Sequence, residues 1–176
     1  MHTLTTGRLR FRKIEPTDLP NIKAFMSEPE AGKFLFFPPD IDKHAQAWVQ
    51  RNVGRYESDG TSLYVVESKD DAKFLGQCGL IWQEVEGERH LEIGYHFLKE
   101  NWGKGYASEA AKACRDHAFQ NNMHPYLISI IHPYNLASQR VAIRNGMLPW
   151  KKATFKGTPV ILYRIDRSSW EKKTTP

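Results

Sequence analysis

Two glycines one residue apart, Gly103 and Gly105, separate an apolar stretch, Leu91 to Leu98, from an alanine-rich one, Ala107 to Ala118. This junction constrains the chain more than any other stretch. It reads as a strand, a glycine turn and a helix. The first amides of a helix lack intrahelical partners and sit at the positive end of its dipole, so the junction is an anion site. Glycine has no Cβ, so backbone can approach a ligand closely. Lys104 adds a positive charge between the two glycines. The spacing predicts a loop that holds a pyrophosphate, against the plainer alternative of a tight turn and nothing more. A dinucleotide loop needs a third glycine where Ser108 stands, and the nucleoside-triphosphate signature is absent.

The rest of the chain supplies a sheet for this junction. Arg8 to Ile14 alternates as a half-exposed strand. Thr17 and Asp18 start a helix carrying Leu19, Ile22, Phe25 and Met26, and an apolar knot, Phe34 to Phe37, ends at Pro38-Pro39. Asp40 or Asp42 caps a second helix reaching about Tyr56, with Ala45, Trp48, Val49 and Asn52 on one face. Leu63 to Glu67, Phe74 to Gln83 and Leu91 to Leu98 form an antiparallel meander; Gly76 and Gly79 mark a bulge or a close backbone approach. A helix with a small-residue stripe leads into Tyr126 to Ile131, a buried strand, which makes a parallel pair with a right-handed crossover. Leu136 to Arg144 is a helix stopped at Asn145-Gly146, and Trp150 to Phe155 and Val160 to Ile165 are strands joined at residues 156 to 159. The tail at residues 168 to 172 forms a short helical turn. The expected class is α+β: a mixed, mostly antiparallel sheet with flanking helices, in one domain over residues 1–176.

Composition narrows the partners. Lys and Arg number 25 against 20 acidic residues, a net charge of +5, which suits an anionic ligand. The basic residues are scattered, so no nucleic-acid tail and no stable nucleic-acid partner are expected. Cys78 and Cys114 have no metal-site spacing; each reads as a buried small residue, and no metal is expected. No stretch approaches the roughly 18 apolar residues of a membrane span, and no signal-peptide core is present, so a cytoplasmic protein with no membrane partner is expected.

The junction resembles a known pattern. Trp102-Gly103-Lys104-Gly105-Tyr106-Ala107 is similar to the acyl-coenzyme A loop of the GNAT N-acetyltransferases, Gln/Arg-x-x-Gly-x-Gly/Ala, with Trp102 where Gln or Arg usually stands. That departure, Glu92-Ile93-Gly94-Tyr95 before it, Ser108-Glu109-Ala110 after it, and Asn135 to Val141 with Asn145-Gly146-Met147 downstream resemble the subgroup of ribosomal-protein alanine N-acetyltransferases. The resemblance implies a GNAT-like fold in which the strands Leu91 to Leu98 and Tyr126 to Ile131 splay apart. Acetyl-coenzyme A, the implied co-substrate, lies in that gap. Its pantetheine arm pairs with main chain near Phe97 and Leu98. Its diphosphate meets Trp102, Gly103, Lys104, Gly105, Tyr106, Ala107 and Ser108, and Asn135 bonds the cofactor arm while also suiting an N-cap.

Acetyl transfer to an amine needs a neutral amine, a donor for the developing oxyanion and a proton for the leaving thiolate. An α-amine has a pKa near about 8 and a lysine near about 10.4, so an α-amine needs less help. The resemblance makes Glu92 the base; the plainer alternative is a solvent-facing carboxylate or one paired with Arg89. His96 shares a face with Glu92 and is the rival, serving untuned if its pKa is unshifted. The usual tyrosine, eight residues beyond Asn135, is Ile143 here. Ser138 matches the subgroup's proton donor, with Tyr134 and Tyr126 as alternatives. The implied reaction is direct attack by a primary amine, a protein N-terminal α-amine before a small molecule, in a monomer or homodimer. Acceptor choice is expected in Phe34 to Pro39 and Trp82 to Arg89, where Trp82 and Glu84 suit a cationic amine. The rivals are a non-catalytic acyl-coenzyme A sensor and an RNA-contacting domain.

Overall fold

The computed structural model describes residues 1, 4–35 and 40–174. Seven strands form one sheet in the order β1-β2-β3-β4-β5-β7-β6. They are β1 (Leu9–Lys13), β2 (Leu63–Ser68), β3 (Phe74–Val85), β4 (Glu88–Phe97), β5 (Tyr126–Ile131), β6 (Leu148–Phe155) and β7 (Thr158–Asp166). Every neighbouring pair is antiparallel except β4 and β5, which are parallel. Helices α1 (Leu19–Ser27), α2 (Pro29–Gly32) and α3 (Ile41–Ser58) lie between β1 and β2. Helix α4 (Tyr106–Gln120) joins β4 to β5, α5 (Leu136–Arg144) joins β5 to β6, and α6 (Arg167–Thr174) ends the chain. This is the expected mixed α+β architecture. Asp40 is the α3 cap, its carboxylate accepting from the Lys43 amide. The short helix α2 has no periodic signal, and the β6–β7 connection is tighter than expected because Thr158 and Pro159 pair within β7.

Each sheet face buries its own core. On one face Leu91, Ile93 and Phe97 of β4 pack with Ala110, Ala111, Cys114 and Ala118 of α4. Alanine and cysteine side chains are short, so the helix axis lies close to the strands. Cys78 and Cys114 are both buried there and touch, with Sγ atoms 3.5 Å apart. On the other face Ile22, Phe25 and Met26 of α1 and Ala45 and Val49 of α3 cover Leu63, Val65 and Ile81.

Two features shape the sheet at its centre. A Cβ built on Gly79 would stand 2.1 Å from the Ser62 carbonyl oxygen, and one on Gly76 2.3 Å from that of His96. Both glycines therefore mark close backbone approach, and the bulge sits beside them, where the register jumps from Val66↔Gly76 to Glu67↔Phe74. The second feature is the parallel pair, which holds one residue pairing, Glu92↔Ile128. Beyond it β4 and β5 diverge.

At the sheet edge the Arg12 guanidinium grips buried Asp18 through two 2.7 Å bonds and reaches Glu67 at 2.6 Å. That cluster fixes β1, the turn before α1 and β2 together.

Candidate active site

The glycine loop adopts the geometry that its sequence demands. Gly103 and Gly105 have φ of 75° and 82°, the left-handed region that a Cβ disfavours. Nothing lies within 4 Å of a Cβ built on Gly103, so the space over the loop is open. Gly105 is the N-cap of α4, and the first amide bonded back into the helix is that of Glu109, which donates to the Gly105 carbonyl. The amides of Tyr106, Ala107 and Ser108 therefore precede the helical ladder and face the open end. The Trp102 indole donates to the Phe97 carbonyl at 2.8 Å and ties the loop to β4. Arg8 braces it from the other side. Its guanidinium donates to the Lys104 carbonyl at 3.0 Å, pairs with Glu109 at 2.7 Å and lies over the Tyr106 ring. Sequence reasoning gives Arg8 no such place, because the residues it holds are about a hundred positions away.

The loop opens into a cleft of about 900 Å³ that runs along the gap between β4 and β5. Glu92, Phe97, Trp102 through Ser108, Asn135 and Ser138 all line it. Leu98 does not; its amide donates to Leu75 of β3, and its side chain packs on the α1–α3 face. Hydrogen-bonding direction alternates along a strand. The Ile93 carbonyl accepts from Ser129 of β5, so residues 93, 95 and 97 turn their main chain toward the gap. Leu98, expected beside the gap, instead turns its main chain to β3. Asn135 is the N-cap of α5, its Oδ1 accepting from the Ser138 amide. The Tyr95 hydroxyl donates to the Ser138 carbonyl at 2.9 Å, and burial raises its pKa well above the usual phenol value. Tyr95 is a cleft residue that the sequence reading does not single out.

Glu92 neither faces solvent nor pairs with Arg89. It is 9% exposed, accepts from Gln83 Nε2 at 2.9 Å and from the Ile130 amide at 3.3 Å, and lines the cleft. Burial raises its pKa, and Gln83 and Ile130 only partly oppose the shift. Arg89 instead lies over the Trp82 ring at 4.6 Å and 3.7 Å from Asp59. His96 lines the same cleft, between the rings of Phe25 and Trp48. Its Nδ1 is buried with no partner among the described residues, and burial lowers its pKa to about 4. The expectation of an untuned histidine base is corrected: His96 is neutral and a weak base.

The other candidates separate. Tyr134 lines the cleft and is 79% exposed, whereas Tyr126 bonds His90 Nδ1 and lies outside it. Trp82 packs on the α4 face against His124, away from Glu92. Phe34 and Leu35 border the cleft, and residues 36–39 of the knot lie outside the described residues. Among the described residues no group of three His, Cys, Asp or Glu could hold a metal ion, and no helix is long and apolar enough to cross a membrane.

These groups fit an acyl-coenzyme A. Unpaired helix amides behind two left-handed glycines suit a diphosphate. A strand with main chain turned into a gap suits an amide-bearing arm, which binds by adding a strand.

A family model described as the acetyltransferase (GNAT) domain matches residues 8–148. The Bacillus subtilis (strain 168) protein YkkB is 34% identical over 161 residues, which cover 91% of this chain and 93% of YkkB. Among solved structures, an acetyltransferase from Agrobacterium tumefaciens str. C58 superposes with a TM-score of 0.81 at 27% identity, covering 94% of each chain. RimL, a ribosomal L7/L12 α-N-protein acetyltransferase solved with coenzyme A, shares the fold with a TM-score of 0.76 at 18% identity, over 92% of this chain and 95% of its own.

Proposed function

The chain belongs to the acetyltransferase (GNAT) family and is an N-acetyltransferase with acetyl-coenzyme A as co-substrate, and from that membership we propose that it acetylates a protein N-terminal α-amine, with small primary amines as second choice. Acetyl-coenzyme A supplies the activated acetyl thioester. The protein's own residues divide the remaining work.

The amides of Tyr106, Ala107 and Ser108, with Lys104 and the open face of Gly103, hold the diphosphate. Main chain at Tyr95 and Phe97 receives the arm, and the Asn135 side chain, fixed as a helix cap, orients it. Glu92 takes the proton from the attacking amine. Its raised pKa brings its basicity nearer to that of an α-amine than an exposed carboxylate would, and Gln83 and the Ile130 amide fix its direction. Ser138 gives a proton to the departing thiolate from the first turn of α5. Attack is direct, since both cysteines are buried against each other on the α4 face, off the cleft lining.

The observation that carries this reading is the position of Glu92: one buried carboxylate sits at the single β4–β5 pairing, in the same cleft as the glycine loop. A screen of N-terminal peptides and small amines with thiol-release detection tests it. Release that depends on both acceptor and Glu92 supports the enzyme; tight coenzyme A binding with no acceptor turned over returns the chain to the sensing module.

A further inference from the structure

Two buried polar atoms on neighbouring strands stand unanswered. Gln77 of β3 is fully buried and is the direct cross-strand partner of His96 of β4. Gln77 Nε2 and His96 Nδ1 both lack a hydrogen-bond partner among the described residues. Opposed residues on an antiparallel pair share a sheet face, with Cβ atoms about 5 Å apart. The Trp48 indole touches both side chains. Its Nε1 donates to Gln77 Oε1 at 2.9 Å, and its ring meets that of His96 edge-on at 5.7 Å. Phe25 lies against the same imidazole, with ring centroids 5.7 Å apart.

This arrangement selects one tautomer of the imidazole. An indole N–H can only donate, so the Gln77 atom facing Trp48 is its oxygen, and the NH2 group is left over. A buried NH2 needs an acceptor, and an N–H on the paired residue would leave two donors opposed. The acceptor that His96 offers is an unprotonated Nδ1. Burial keeps the ring neutral at neutral pH, so it carries one proton, and that proton sits on Nε2. Nδ1 is the enclosed nitrogen, so Nε2 is the one that His96 brings to the cleft it lines.

Resting on the acetyltransferase reading above, we infer that His96 is a specificity-determining residue: its Nε2–H donates to an uncharged carbonyl or hydroxyl oxygen that the acceptor carries several bonds from its amine. Glu92 and His96 project from the same face of β4, with Cα atoms about 13 Å apart along the strand. Gly94 between them has no side chain. An acceptor that meets both is therefore an extended amine. A neutral N–H donor offers nothing to a second ammonium group. Trp82 and Glu84, which suited a cationic amine in the sequence, do not line the cleft. A peptide N-terminus and a small hydroxyalkylamine share the favoured chemistry.

The test uses the full chain, acetyl-coenzyme A and acceptors matched in their amine: alanyl-alaninamide against alanine N-ethylamide, and 5-aminopentanol against pentylamine. The member with the extra oxygen should lead by about tenfold in kcat/KM. His96→Phe should abolish that lead, through KM, with coenzyme A affinity unchanged, whereas His96→Gln, which keeps an N–H, should retain part of it. Nitrogen-15 shifts of the His96 ring should place the proton on Nε2 in the wild type. Gln77→Glu, which offers an oxygen in place of the NH2 group, should move it to Nδ1 and remove the lead. The wild-type tautomer needs no variant, so the inference stands or falls even where Gln77→Glu does not fold. The pair showing the lead identifies the source, peptide or small molecule. Turnover with no lead in either pair, or a wild-type proton on Nδ1, overturns the inference and leaves the reaction standing. Absence of turnover from every amine overturns the acetyltransferase reading itself.

Discussion

The Glu92 carboxylate on β4 accepts the main-chain amide of Ile130 on β5, 3.3 Å away across the point where the two strands part. One side chain thus both closes the parallel pair and presents a buried carboxylate to the cleft. Glu92→Gln keeps an acceptor oxygen for Ile130 and removes the proposed base. Turnover should fall by roughly 10² to 10³ with unchanged coenzyme A affinity, measured by thiol release and calorimetry. In the wild type kcat/KM should rise with pH through a value above the ordinary carboxylate pKa of 4.5, and that limb should vanish in the variant. The folded-state pKa is raised, so the stabilising contribution is present below 4.5 and lost as pH rises through the folded value. At neutral pH the variant should therefore melt no lower than the wild type.

His96 has the opposite sign. Burial lowers its pKa from 6.5 to about 4, so the unfolded chain takes a proton first. Its contribution to stability is full above 6.5 and is lost as pH falls from there toward 4. His96→Gln should flatten the acid slope of the urea midpoint across that window. The His96 ring resonances in the wild type should stay at their neutral positions down to about pH 5.

Two glycine substitutions should fail differently. Gly103→Ala meets open space but must hold φ at 75°, a strain of about 1 kcal/mol, and its methyl intrudes where a diphosphate would approach. Coenzyme A affinity should drop about tenfold with a small change in melting temperature. Gly79→Ala would press a methyl to 2.1 Å from the Ser62 carbonyl, so backbone must move. Its signature should be loss of soluble folded protein, read by expression and circular dichroism.

Asp18 is 2% exposed and held by Arg12. Burial alone would raise its pKa; the bonds from Arg12 and the Glu15 amide overcome that and lower it below 3.8. Asp18→Ala should cost about 3 kcal/mol by stranding part of the Arg12 guanidinium. Arg12→Ala should cost more, because buried Asp18 loses both guanidinium bonds at once while Glu67 loses one of its two arginines and keeps Arg10. A lowered carboxylate pKa stabilises above 3.8 and is lost as pH falls through the folded value, so the gap between wild type and Asp18→Ala should narrow in acid.

Local periodicity made most of the fold legible. The bounds of α5 and β5 follow from the apolar runs and from the Asn145-Gly146 stop. The Glu92–Gln83 contact was also within reach: a two-residue turn at Glu86-Gly87 sets Ile81 opposite Glu92 and Gln83 opposite His90. What escaped depends on distant packing. No spacing brings Arg8 to Glu109, sets Cys78 against Cys114, or buries His96 between Phe25 and Trp48. On α3 the helical spacing reveals the apolar face through Ala45 and Val49.

The lone Glu92↔Ile128 pairing has a mechanical consequence. The sheet is two halves, β1 to β4 and β5, β7 and β6, meeting along a seam with little backbone continuity. A molecule lodged there would stand as an inserted strand and stitch the halves into one unit. Hydrogen exchange along that line, slow when the seam is filled and fast when it is empty, would make the catalyst its own gauge of how much acyl donor surrounds it.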